Sequence, residues 1–294
     1  MGLYEVIGGA RLKFVAMAEH MDRLDQAVEG WLEDQTDTPV AVVEGQANAQ
    51  RTEYFIRVVD VIAYPAEEWG IILGDAVHCL RSALDQLMWG ICDPAERSER
   101  TQFPICTTRR QWVTQAPAQY WGANAGFVKL LDRLQPYQRG DQNAAREHPL
   151  AILQALSNLD KHRTIPAIAL VADHTEGTVL SYEGIEKWSA LRFLPGTPYE
   201  PDAVIAKAKI VPDNSGVEPK MDVHIEIDPD IGFGVIGPAP TITHKPVDDV
   251  LREIAEYVAG ILDLMVDIWN QAVEQTHTEE DRVRARLEAR RRYP

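Results

Sequence analysis

The sequence predicts an α+β fold: a helical-bundle core with a flanking antiparallel β-meander. Three observations predict it. Segments at 10–34, 66–92 and 247–273 repeat apolar residues near the 3.6-residue period of a helix. Between 164 and 237 the pattern changes to period two, in short runs separated by Gly, Pro, Asp and Asn. No 20–50-residue repeat and no low-complexity tract interrupts the chain, which excludes a solenoid or an array.

The elements follow in order. Leu12, Val15, Met21, Leu24, Val28, Trp31 and Leu32 make the apolar stripe of 10–34, and the cluster Thr36-Asp37-Thr38-Pro39 ends it. The runs Val40–Val43 and Tyr54–Ile62 are rich in Val, Ile and aromatics, and they predict a hairpin over 40–62 joined by the polar stretch Gly45–Thr52. Pro65 opens the helix 66–92, where its missing N–H costs nothing. Trp69, Ile72, Ala76, Leu80, Ala83, Leu87 and Ile91 form the buried stripe of that helix, and Asp93-Pro94 stops it. Within the loop 95–108, Phe103-Pro104-Ile105 is an extended segment expected to dock into the core. Shorter helices are expected at 109–115, 125–135 and 149–162, the last two separated by Pro136-Tyr137 and the polar run Gln138–Glu147.

The strands of the meander are Ile168–Val171, Val179–Tyr182, Leu191–Phe193, Val204–Val211 and Met221–Ile227. Residues 222–228 alternate apolar and charged side chains, the pattern of a strand with one wet face. Neighbouring strands are expected to pair in sequence order. The helix 247–273 carries an uninterrupted stripe from Val247 to Val273, with Asp248 and Asp249 suited to its first turn. The expected organisation is a single α+β domain over 1–275, with helical core segments 10–34, 66–162 and 247–273, a β-hairpin at 40–62 and a β-meander at 164–237. An Arg-rich helical tail over 276–294 follows.

A net charge of −16 over 294 residues argues against broad attachment to nucleic acid or anionic lipid. The charge is uneven. Arg282, Arg284, Arg286, Arg290, Arg291 and Arg292 stand against Glu288 alone, so the end of the chain suits RNA or an acidic partner. The plainer reading is a solvated helix end with cations at its C-terminus. Cys79, Cys92 and Cys106 are not in C-x-x-C spacing, and so odd a count implies no disulfide framework and a reducing cytoplasm. The first residues, MGLYEVIGGARLKF, lack a signal-peptide apolar region, and no apolar run reaches the ~18 residues that a membrane span needs. No membrane attachment is expected.

The candidate chemistry is concentrated in Gly74–Gln86. Asp75, His78, Ser82 and Asp85 are three, four and three residues apart, which puts them on one helical face with Arg81 beside them. A second cluster, Asn158-Leu159-Asp160-Lys161-His162-Arg163, closes the helix 149–162. If the two helices cross, the clusters meet, and three readings stand open. Asp75, His78, Asp85, Asp160 and His162 offer ligand types for zinc, manganese or iron, although no H-x3-H, E-x-x-H or H-E-x-x-H pairing is present. His78 and Arg81 suit metal-free RNA cleavage, with His as acid or base and Arg neutralising a pentavalent phosphate. The charged groups also suit a satisfied internal network that fixes helix register or a dimer seam.

The motifs Gly74–Asp85 (G-D-x-x-H-x-L-R-S-A-L-D), Phe103–Ile105, Leu134–Tyr137 (L-Q-P-Y) and His148–Arg163 (ending L-D-K-H-R) resemble a group of uncharacterised actinobacterial and phage proteins. The likeness spans about residues 66–163 and carries no established activity. A looser resemblance is to HEPN domains, helical bundles of many prokaryotic ribonuclease toxins, whose signature is Arg, four to six residues, then His. Arg81 is present, but Gln86 stands where the catalytic His would be. The resemblance implies a dimeric helical bundle in phage–host conflict. It implies a ribonuclease only if His78 or His162 takes over the missing proton transfer, and otherwise an inactive binding relative.

Other chemistry lacks its motif. No G-x-x-x-x-G-K-[ST], no G-x-G-x-x-G after a strand and no G-x-S-x-G is present, so no nucleotide cofactor is expected. Trp112, Tyr120 and Trp121 with Arg109 and Arg110 form an aromatic-basic patch that suits base stacking or, equally, docking on the core. The expected catalytic set is His78 as acid/base, Arg81 as phosphate clamp and Asp75 orienting His78, with Asp160 and His162 completing the pocket. No metal or cofactor is assigned. The expected partners are a second copy, through the long helices, and RNA. The competing expectation is a non-enzymatic structural or interaction protein whose charged stripe is an internal polar network.

Overall fold

The computed structural model describes residues 3–35, 40–227 and 229–268. These residues form an α+β fold of seven α-helices and nine strands, every strand pair antiparallel. The helices are α1 (Leu3–Glu33), α2 (Ala66–Ile91), α3 (Arg109–Thr114), α4 (Ala125–Arg133), α5 (Gln142–Arg146), α6 (Pro149–Asp160) and α7 over 247–268. Helix α2 starts where expected: Trp69 N–H bonds the Pro65 carbonyl at 3.1 Å, and Glu67 and Glu68 lie in the dipole-favoured first turn. Trp69, Ile72, Ala76, Leu80, Ala83 and Leu87 are all fully buried. Helix α1 begins seven residues earlier than its stripe, and α5, capped by Asp141, occupies part of the polar run read as a separator. The rest of the stripe beyond 268 and the Arg-rich tail lie outside the described residues.

The strands are β1 (Ala41–Ala47), β2 (Glu53–Val61), β3 (Ala167–Leu170), β4 (Glu176–Glu183), β5 (Ile185–Trp188), β6 (Arg192–Phe193), β7 (Val204–Pro212), β8 (Lys220–Glu226) and β9 (Asp230–Phe233). Their partners differ from the sequence-order meander. The five-stranded sheet runs β1-β2-β7-β5, with β6 also on β7, while β3 pairs with β9 and β4 with β8. The N-terminal hairpin therefore shares one sheet with β5, β6 and β7. Strand β7 lies inside the sheet and buries Ala206, Ala208 and Ile210 on one face, while Lys209 and Val211 on the other are exposed. Alternation specifies which face a strand buries, not which strand it meets. Strands β5 and β9 are not among the expected ones.

Tyr54 ties β1, β2 and β8 together. Its hydroxyl accepts from the Met221 N–H at 3.0 Å, and its ring lies so close to Gly45 that any Cβ there would collide with it. Packing groups the chain into two compact units: Met1–Ala16, His78–Gln154 and Glu253–Pro294 in one, Met17–Val77 and Ala155–Arg252 in the other. The divisions fall inside α1, α2, α6 and α7. Leu12 and Val15 of the expected α1 stripe are exposed, at 69% and 55%. All nine strands belong to the second unit. Among the described residues no helix is long and apolar enough to cross a membrane.

Candidate functional site

Helix α2 divides the polar stripe into two parts with different fates. Asp75 and His78 are exposed and Ser82 is partly so, whereas Arg81 is 5% exposed. The Asp75 carboxylate lies 3.9 Å from His20 Nδ1 and 4.0 Å from Arg23 on α1. His78 Nε2 is 3.2 Å from Ser82 Oγ, one turn on. Among the described residues no hydrogen bond or ion pair joins His78 to Asp75 or to Arg81. The expected Asp75–His78–Arg81 relay is therefore not assembled.

Arg81 faces inward. Its guanidinium meets both Asp85 oxygens, Nε at 3.2 Å and Nη2 at 2.9 Å. It also donates to Gln154 Oε1 at 3.2 Å and to the Phe103 carbonyl at 2.7 Å. Asp85 Oδ1 accepts from the Phe103 N–H at 2.9 Å. The pair thus satisfies both backbone groups of Phe103, which a buried extended segment requires. Burial lowers the Arg81 pKa and Asp85 opposes the shift. The expected role of Arg81 as a phosphate clamp does not agree with this placement, because a guanidinium enclosed and engaged on three groups is not presented to a phosphate.

The other motifs close on the same loop. Gln135, 1% exposed, donates to the Pro104 carbonyl at 3.0 Å and accepts from the Cys106 N–H at 2.8 Å. Tyr137 N–H bonds the Cys106 carbonyl at 3.2 Å. Thr108 and Gln111 form a capping box that starts α3 immediately afterwards. Phe103–Cys106 is therefore gripped from α2 on one side and from Leu134–Tyr137 on the other. His148 opens α6: its Nδ1 accepts from the Leu150 N–H at 3.2 Å, and its Nε2 lies 3.1 Å from the Tyr257 hydroxyl. Burial, and then Arg139, lower its pKa to about 4.

The expected site residues of the second cluster are placed differently. The Asp160 carboxylate rests against Gly74 of α2, so closely that a Cβ there would collide with it. His162 is exposed in the turn after α6. Gln86, at the HEPN histidine position, is half-buried, and a Cβ on Gly9 of α1 would lie 2.8 Å from its amide oxygen. Among the described residues no three His, Cys, Asp or Glu side chains are grouped so as to hold a metal ion. The aromatic-basic patch is divided: Trp112 is buried against Tyr120 with ring centres 5.1 Å apart, Arg109 is held by Asp132 at 3.0 Å and the Tyr137 hydroxyl at 2.6 Å, and Trp121 stays exposed with its Nε1 on Glu96. Tyr137 also bonds Asp132.

One feature of the second unit escaped the sequence. A cleft of about 560 Å³ is lined by Asp25, Glu29, Asp173, Asp230, Asp248 and Asp249, with Arg252 beside them. Burial raises the Asp25 pKa first, followed by repulsion from Asp248, Asp22 and Glu29; Asp248 is raised by burial and by Asp249, against Arg252. These carboxylates come from α1, from the residues after β3, from β9 and from the start of α7, separations that no motif spans.

Searches of protein-family models, of curated proteins and of solved structures give no match to this chain.

Proposed function

We propose that this chain is a non-enzymatic protein-interaction protein of the cytoplasm, in which Arg81 and Asp85 act as an internal strut. One observation carries the reading: the Arg81 guanidinium is enclosed and bonded to Asp85, Gln154 and the Phe103 carbonyl. Removing such a group from its partners to serve a substrate would leave buried polar atoms unpaired. Two further placements support the reading. Asp75 pairs with His20 and Arg23 and not with His78, and Gln86 packs near Gly9 where a HEPN enzyme would need a base.

The metal-free ribonuclease reading retains one observation, the exposed His78 imidazole beside Ser82 Oγ. A single assay separates the two. Labelled total RNA is incubated with the wild-type protein and with His78→Ala, with and without EDTA. The expected result is no cleavage above buffer in any arm. Cleavage by wild type that His78→Ala abolishes, whether or not EDTA affects it, overturns the interaction reading.

A further inference from the structure

Two strand edges are left unpaired side by side in the second unit. Among the described residues β1 pairs only with β2, and β8 only with β4. Between β1 and β8 runs a groove of about 480 Å³ whose apolar lining is Val42, Val43, Val223, Ile225 and Ile227. Tyr54 ties the strands together at Met221, and the lining starts two residues farther on, so the groove opens away from that tie. Val42 is 47% exposed. Exposed aliphatic side chains beside a free edge form a template for one more strand.

The charge along the groove selects the occupant. Asp222 and Glu226 alternate with the apolar residues of β8 and are exposed, and His224, also exposed, borders the groove. Glu226 stands directly opposite Glu176 on β4, a like-charge pair that destabilises a sheet unless a cation relieves it. Among the described residues no ion pair involves Glu176, Asp222 or Glu226. A complementary strand needs apolar residues at every second position and cations between them, because neighbours across a ladder share a face. Beyond the described residues the chain carries that sequence: Arg282-Val283-Arg284-Ala285-Arg286-Leu287.

We propose that the β1–β8 groove takes residues 282–287 of a second copy of this chain as an added strand, with Val283, Ala285 and Leu287 over Val223, Ile225 and Ile227, and the three arginines over Asp222 and Glu226. The proposal rests on the interaction reading above and supplies its partner. Exchanged reciprocally, two grooves and two tails close a two-fold dimer, which leaves neither free edge open to further addition.

The test uses the full chain with the photoreactive residue benzoylphenylalanine in place of Val42. Light and ¹⁵N-labelled copies are mixed, equilibrated, illuminated and digested after acidic residues. The expected products join position 42 of one isotope to the 282–288 peptide of the other. Their yield falls about tenfold in Leu287→Asp, since a charge placed on the groove floor weakens docking by roughly 1.4 kcal/mol or more. Crosslinks confined to single copies, crosslinks to other residues, or a yield unchanged in Leu287→Asp overturn the proposal. Such a result leaves the non-enzymatic reading standing, whereas RNA cleavage overturns that reading whatever the crosslinks show.

Discussion

Removing Arg81 would take a donor from each of the Asp85 carboxylate, the Phe103 carbonyl and the Gln154 amide. Deleting one half of an enclosed ion pair typically costs about 3 kcal/mol or more, whereas deleting both halves costs less than the sum. Arg81→Ala is therefore expected to lower the urea unfolding free energy by about 3 kcal/mol, and Arg81→Ala with Asp85→Ala by less than the two single changes together. An unchanged unfolding midpoint in Arg81→Ala would refute the strut. His148 makes a prediction in pH. Its folded pKa is about 4, below the roughly 6.5 of an unfolded histidine. Between those values the unfolded chain binds the proton and the folded chain does not, so stability falls as pH drops from about 6.5 to about 4 and is fully present above that window. The effect is at most about 3 kcal/mol. In His148→Gln the decline over this window should be shallower than in wild type by chemical denaturation, and parallel curves would remove His148 as its cause.

At the scale of elements, what could be read from the sequence follows the period of each pattern. Helices α2, α3, α4 and α6 lie within two residues of their expected bounds, and for α2 the sequence marks both ends, in Pro65 and Asp93-Pro94; the caps Thr108 of α3 and Asn124 of α4 appear only in the structure. The docking of Phe103-Pro104-Ile105 was also legible as an apolar triplet inside a polar loop. Gln135 was not legible as its anchor: a glutamine between helices has no periodicity to betray burial. The candidate stripe on α2 was legible as spacing but not as exposure. Successive residues turn by 100°, so Arg81 and Asp85 stand on the flank of the buried face while His78 and Ser82 point farther out. Strand partners were the least legible. The contact of β2 with β7 joins residues about 150 apart, such as Glu53 and Lys209, and nothing local in either strand encodes it.

At the scale of the whole molecule, acidity is not spread evenly over a surface carrying −16. Part of it converges on the cleft around Asp25 and Asp248. A carboxyl whose folded pKa is raised binds more protons folded than unfolded, so its burden on stability grows as pH rises through that value and fades in acid. Asp25→Asn is thus expected to raise the melting temperature at pH 7, with a smaller advantage at pH 4. A lower melting temperature at pH 7 would show that the carboxylate is needed in ionised form. The two packing units have a consequence of another kind. One is made of three separate stretches and the other of two, and the four divisions between them cut through helices. Neither unit is a contiguous stretch of coding sequence. No single contiguous insertion or deletion in the gene can therefore add or remove one of them whole.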